Sequence, residues 1–181
     1  MRIEALAIAD VKLLTPRIFR DVRGFFSETW SAREHLAHGL DLAWVQDNHA
    51  YSVPRGTLRG LHYQRAPMAQ DKLVRVTRGA VFDVAVDIRP GSPTFGRHVS
   101  AVLSAQNWTQ ILVPKGFAHG YVTLEPDTEV IYKVTAPYAP EHDAGIAWDD
   151  PALGIAWPVP RAEIVLSDKD TRQPRLADAR L

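Results

Sequence analysis

The run Leu58-Arg59-Gly60-Leu61-His62-Tyr63-Gln64 sets a guanidinium and an imidazole three residues apart in a stretch that reads as a strand. An imidazole can take or give a proton near neutrality, and a guanidinium offers forked donors to an oxyanion or a phosphate. Strict alternation puts Leu58, Gly60, His62 and Gln64 on one face and Arg59, Leu61 and Tyr63 on the other. Gly60 between the two polar residues marks a bulge, a corner or a close backbone approach. The plainer reading of His62 is a half-buried histidine that is merely hydrogen-bonded.

Other residues able to do chemistry are spread along the chain. Asp21-Val22-Arg23-Gly24-Phe25-Phe26-Ser27-Glu28 has a turn signal followed by a short aromatic strand, with Arg23 and Glu28 at its ends. These two are read either as an exposed ion pair or as ligand contacts. Gln46, Asp47 and Asn48 bring amides that both donate and accept, as recognition of a base edge or a hydroxyl requires, although an Asx-type loop is the plainer reading. His35 and His38 share a helical face, but no acid or third histidine accompanies them, so they read as solvated surface.

The elements that must position these groups are mostly strands. Residues 3 to 14, interrupted by Pro16, suggest an edge strand. Ser31-Ala32-Arg33-Glu34 has the form of a capping box, with Trp30 as a staple and Gly39 as the stop, which predicts one short helix. Lys72 to Thr77 and Ala80 to Ile88, around Arg78-Gly79, predict a hairpin, and Phe82, Val84, Val86 and Ile88 against Asp83 and Asp87 predict a strand with one apolar face. Further strands are predicted at 97–103, 109–113, 117–124 and 129–135, and the segment from Pro137 to Leu181 reads as irregular. The pattern is all-β, a barrel or sandwich in a single domain over 1–181.

Lysine plus arginine and aspartate plus glutamate number 21 each. No bulk field favours a polyanion, so any anion site is local and nucleic acid is not an expected partner. Cysteine is absent, which excludes disulfides and thiolate ligands and is compatible with a reducing compartment. No run approaches the roughly 20 apolar residues of a membrane span, and the first residues do not resemble a signal peptide. The expectation is a soluble, cytoplasmic protein.

Gly56 followed by five residues and His62, and later Pro114-Lys115-Gly116-Phe117-Ala118-His119, resemble the two motifs of the cupin jelly-roll superfamily. Metal-binding members carry a His-x-His pair where this chain has His62-Tyr63-Gln64, so the site is expected to be metal-free and without a cofactor. The likeness sharpens over nearly the whole chain to the dTDP-4-dehydrorhamnose 3,5-epimerases. It is carried by Asp21-x-Arg23-Gly24-x-Phe26-x-Glu28, Gln46-Asp47-Asn48, Leu58 to Gln64, Lys72-Leu73-Val74 and Asp83-Val84-x-Val86-Asp87-x-Arg89. Ser92 to Gly96, Pro114-x-Gly116-Phe117-Ala118-His119-Gly120, Tyr132-Lys133, Tyr138-x-Pro140, Gly145-Ile146-x-Trp148 and Leu166-Ser167-x-Lys169-Asp170 follow in order.

The resemblance implies an enzyme acting on a dTDP-4-keto-6-deoxy sugar, whose C4 ketone acidifies the hydrogens at C3 and C5. His62 matches the base, Asp170 its orienting carboxylate, Tyr132 the acid on the opposite face and Lys72 the cation that stabilises an enolate. Arg23, Glu28, Gln46, Asp47, Asn48, Arg59, His119 and Lys169 match substrate contacts, and Tyr138 matches the residue that stacks on thymine. Asp143 stands where many members have a longer carboxylate, and Ala50 where a serine is frequent. The segment around Arg23 and Glu28 is implied to reach a neighbouring subunit's site, hence a homodimer. Two alternatives share the architecture: an epimerase of one carbon only, or a ketoisomerase, on a related antibiotic sugar; and a non-catalytic sugar-binding cupin.

Overall fold

The computed structural model describes residues 1–181. Strands β1 (Arg2–Ala5), β2 (Lys12–Thr15), β5 (Gln46–Ser52), β7 (Lys72–Arg78), β10 (Gln110–Val113) and β12 (Thr128–Val134) form a six-stranded sheet in the order β1-β2-β10-β7-β12-β5. A second, five-stranded sheet orders β13 (Asp143–Gly145), β6 (Leu58–Gln64), β11 (Phe117–Thr123), β8 (Ala80–Asp87) and β9 (His98–Ser104) as β13-β6-β11-β8-β9. A detached hairpin pairs β3 (Phe19–Asp21) with β4 (Gly24–Phe26). All these ladders are antiparallel, and the two large sheets face each other as an open sandwich of the cupin jelly-roll kind rather than a hydrogen-bonded closed barrel. No helix is long and apolar enough to cross a membrane.

The sheets are held together by inward side chains from both. Val74, Val76, Ile111, Val113 and Val130 of the first sheet meet Val81, Ala85, Val99, Leu103, Phe117 and Tyr121 of the second. β-branched residues dominate this layer because they pack well on a pleated surface. A second apolar layer lies outside the five-stranded sheet, where Leu61, Tyr63, Val84, Val86 and Ala118 are covered by Ile146 and Leu153. The irregular C-terminal stretch, with 3₁₀ turns at Arg161–Glu163, Asp170–Arg172 and Leu176–Asp178, is thus a packed cover over one sheet.

Several local expectations are corrected. Residues 72–88 form two strands but no hairpin, because only Gly79 joins β7 to β8 and the commonest tight hairpin loop needs two residues. The chain instead crosses from one sheet to the other; Gly79 has φ +75°, and a Cβ there would lie 2.3 Å from Thr128 Oγ1. Strand β8 is buried on both faces, so Asp83 and Asp87 are fully enclosed, each with a partner: His119 for the first, Arg89, Ser92 and Thr94 for the second. Gln46, Asp47 and Asn48 belong to an edge strand rather than an Asx loop; an edge with alternating half-exposed residues tolerates a polar run. Residues 3–14 contain two strands, of which β1 is the edge.

Helix α1 (Ala32–Ala37) ends at Gly39 as expected, but Ser31 makes no side-chain cap bond. The Ser31 carbonyl instead accepts from the His35 backbone N–H and from its Nδ1, both at 3.0 Å. His35 is not solvated: at 2% exposure it packs beside Trp30, taking the staple position. Burial lowers its pKa, since the charged ring has no room for water.

The largest departure lies in β6. Partners run His119 to His62 but Tyr121 to Arg59, so β6 spends three residues where β11 spends two. The extra residue is accommodated at Gly60, with φ +138° and its α-carbon so close to Gly120 that an added Cβ would lie 2.5 Å from the Gly120 Cα. Alternation inverts across the bulge. Leu58 and Leu61 both face the outer apolar layers, and Arg59 and His62 both turn inward. Replacing Gly60 by alanine forces backbone apart and strains φ, and is expected to destabilise the fold by about 3 kcal/mol or more in urea unfolding; a loss under about 1 kcal/mol would show that the strands part freely at this point.

Candidate active site

A cavity of about 380 Å³ is lined by strands of both sheets. Arg59 and His62 enter it from β6, His119 and Tyr121 from β11, Lys72 from β7, Tyr132 from β12 and Ala50 from β5. The C-terminal cover closes one side with Val165, Leu166, Ser167 and Asp170. Both sheets and the tail therefore contribute, and no single segment forms the site.

His62 Nε2 lies 2.5 Å from Asp170 Oδ1. Asp170 is 4% exposed, and its other oxygen accepts from Ser167 Oγ at 2.8 Å, while its own N–H donates to that hydroxyl at 3.2 Å. Burial opposes ionisation of this carboxyl, but the bond and charge of His62, the Ser167 hydroxyl and the Lys169 ammonium outweigh it and hold the pKa below the ordinary value. Asp170 is consequently an anion at neutral pH, and a carboxylate can only accept. The bridging proton is then on Nε2, and Nδ1 is left with the basic lone pair in the neutral ring.

Several other polar groups of the cavity wall are held by neighbours. His119 Nε2 faces both oxygens of buried Asp83, at 3.0 and 2.9 Å. Arg59 is aimed by bonds to Ser52 Oγ at 3.3 Å and the Tyr51 carbonyl at 3.1 Å. Lys72 Nζ lies 3.4 Å from the His62 carbonyl. Burial pushes its pKa down to about 8, against the pull of Asp83 and Asp143. Burial likewise raises the Tyr132 phenol, partly countered by Arg59, so it is a neutral donor at pH 7. No group of three or more His, Asp or Glu side chains is arranged to hold a metal ion.

Of the residues singled out by sequence, His62, Lys72, Tyr132, Asp170, Arg59 and His119 share this cavity. Four more are linked to one another nearby: Gln46 Oε1 accepts from the Tyr138 N–H at 3.1 Å, the Tyr138 hydroxyl donates to Asp143 Oδ2 at 3.1 Å, and Lys169 contacts the same carboxylate. Asp47 and Asn48 line a neighbouring hollow, where Asp47 pairs with Lys133 at 2.9 Å. Arg23 and Glu28 do not pair with each other and do not line the cavity of their own chain. Arg23 binds Asp21 on the exposed hairpin, and Glu28 lines a separate groove near Arg17 and Phe19. Sequence reasoning missed Asp83, Ser167 and Tyr121 as site residues. For Asp83 a signal existed, since a carboxylate set in an apolar strand must find a partner. Tyr121 gave none, because a tyrosine in a core strand is usually packing.

A sequence model of the dTDP-4-dehydrorhamnose 3,5-epimerases matches residues 5–178. The dTDP-4-dehydrorhamnose 3,5-epimerase of Sinorhizobium fredii is 55% identical over 178 residues, which cover 98% of this chain and 91% of that protein. The crystal structure of dTDP-4-dehydrorhamnose 3,5-epimerase from Bacillus anthracis, with TDP and PPi bound, superposes with a TM-score of 0.93 at 48% identity, covering 96% of this chain and 98% of the other. That of dTDP-6-deoxy-D-glucose-3,5-epimerase from Legionella pneumophila, in complex with dTDP-4-keto-L-rhamnose, gives 0.93 at 44% identity, covering 98% and 93%.

The depressed Asp170 pKa has a stability consequence of definite sign. A carboxyl whose folded pKa lies below its unfolded value of about 3.9 contributes stability fully above that pH, and the contribution fades as pH falls through the folded value. Asp170→Asn is therefore expected to be less stable than the parent by about 1 to 3 kcal/mol at pH 6, with the gap narrowing below about pH 4, in urea unfolding at each pH. A gap independent of pH would mean that the Asp170 charge contributes nothing to the fold.

Proposed function

The chain belongs to the dTDP-4-dehydrorhamnose 3,5-epimerase family, and we infer from that premise that it is an isomerase acting on dTDP-4-keto-6-deoxy-D-glucose. It inverts C3 and C5 of the hexose to give dTDP-4-keto-L-rhamnose, removing and returning a proton at each centre through an enolate. The observation that carries the reading is the buried Asp170 carboxylate held on His62 Nε2 in one cavity with Lys72 and Tyr132.

In this reading His62 Nδ1 takes the proton next to the ketone, and Asp170 stabilises the imidazolium that forms. Electron density moves onto the C4 oxygen. The Lys72 ammonium supplies fixed positive charge for it, worth about 3 to 4 kcal/mol in comparable sites. Tyr132, kept protonated by burial, returns a proton from the other face and inverts the carbon. Arg59 provides donors for the diphosphate, and Tyr138, exposed near the mouth, a surface for the base. His119, held through Nε2 by Asp83, lies beside the sugar on the same wall.

The working unit is a homodimer in the same reading. Supporting it, the β3–β4 hairpin exposes Phe19 and Phe26, opposite each other in its ladder, apolar surface that a lone chain leaves in water. A second copy seated there would carry Arg23 and Glu28 to its neighbour's cavity. The cytoplasmic location belongs to the same proposal and rests on the cysteine-free composition.

Proton NMR of the substrate in deuterated water tests the reaction: deuterium is expected at both C3 and C5, label at one carbon would reduce the activity to a single epimerisation, and none would refute it. His62→Asn is expected to lower exchange at both carbons by at least about 10²-fold, and Tyr132→Phe to suppress inversion more than exchange. Light scattering should give twice the chain mass. Mixing inactive Arg23→Ala and His62→Asn chains should restore activity to about a quarter of the wild-type level, because half of the random dimers contain one site with both native residues; no recovery on mixing would refute the shared site.

A further inference from the structure

Tyr121 is 5% exposed and belongs to the apolar layer between the sheets, yet its hydroxyl has no hydrogen-bond partner in the chain. Three other buried polar atoms share that condition, Trp30 Nε1, His35 Nε2 and Arg65 Nε, and none of them lines the cavity. Tyr121 does. It stands opposite Arg59 in the β6–β11 ladder, its ring 6.3 Å from that of His119, on the wall completed by Tyr132. Burial holds the phenol above its ordinary pKa, and Arg59, Tyr132 and Asp83 are its electrostatic neighbours, so at neutral pH the group is an intact O–H donor.

A phenylalanine would supply the same packing without a desolvated hydroxyl, and native folds leave few such groups unpaired. The oxygen is therefore explained by something that enters the cavity. Diphosphate already has the Arg59 fork, whereas the wall carrying Tyr121 also carries His119 and Tyr132, beside which the reacting ring must lie. Resting on the reaction assigned above, we propose that the Tyr121 hydroxyl donates a hydrogen bond to an oxygen of the bound hexose, which makes Tyr121 a substrate-contacting residue of the epimerase. The contact is unavailable to a nucleotide lacking the sugar, so it acts on the hexose alone.

Tyr121→Phe removes only the oxygen and tests this. The variant is expected to lose about tenfold in kcat/KM for epimerisation, equivalent to about 1.4 kcal/mol, while its Kd for dTDP in calorimetry stays within about twofold of the wild type. Its ligand-free melting temperature should be no lower than the parent's, since no bond within the fold is lost. Unchanged kcat/KM, an equal loss in dTDP affinity, or a lowered melting temperature would each overturn the contact. The wild type separates this from the reaction itself: an inactive wild type refutes both, whereas an active wild type with an equally active variant refutes the Tyr121 contact alone.

Discussion

One residue inserted into β6 opposite β11 determines how the active cavity is built. A regular strand would send Arg59 and His62 to opposite sides of the sheet, one into the sandwich and one against the C-terminal cover. The bulge at Gly60 turns both inward, and the close approach of Gly60 to Gly120 is what lets the two strands stay paired across the irregularity. The same inversion keeps Leu58 and Leu61 on the outer face, where the tail packs. The cavity side and the packing side of the strand are thus set by a single local event, and two glycines are needed because any side chain at that crossing would meet backbone.

The second constraint is electrostatic. His62 and Asp170 are 108 positions apart, and the carboxylate reaches the imidazole because the tail is anchored on the outer face of the five-stranded sheet before it turns into the cavity mouth. A buried carboxylate is tolerated only when its oxygens are bonded, and here His62 and Ser167 satisfy them. Asp83 and His119 repeat the arrangement on the neighbouring strand. Beside these carboxylates stand Lys72 and Arg59, so the cavity sets an imidazole held by a carboxylate next to fixed positive charge, the pairing that the proposed enolate chemistry needs.

The exposed aromatic hairpin has the opposite character. Where the cavity hides polar groups in the interior, β3 and β4 leave Phe25 and Phe26 in water and carry Arg23 away from the site of its own chain. In the dimer proposed above, this apolar surface and a cation that its own cavity does not use would both be taken up by the partner chain.

Much of this was legible in the amino-acid order. Strand positions from residue 97 to 135 follow from short strand-forming runs set between turn residues, nearly to the residue. The ordered family motifs identified the epimerase and pointed to His62, Lys72, Tyr132 and Asp170, which the fold does bring into one cavity. What alternation could not supply was any place where the period breaks or the chain changes sheet: the inverted faces at Gly60, the crossing at Gly79, the enclosure of Asp83 and Asp87. Nor could it tell that His35 is buried or that the Ser31 side chain makes no cap bond. Those outcomes depend on contacts between residues far apart in sequence. The unpaired Tyr121 hydroxyl is the plainest instance, since only the packed arrangement of β6, β11 and β12 decides that this oxygen is buried without a partner in a residue that lines the cavity.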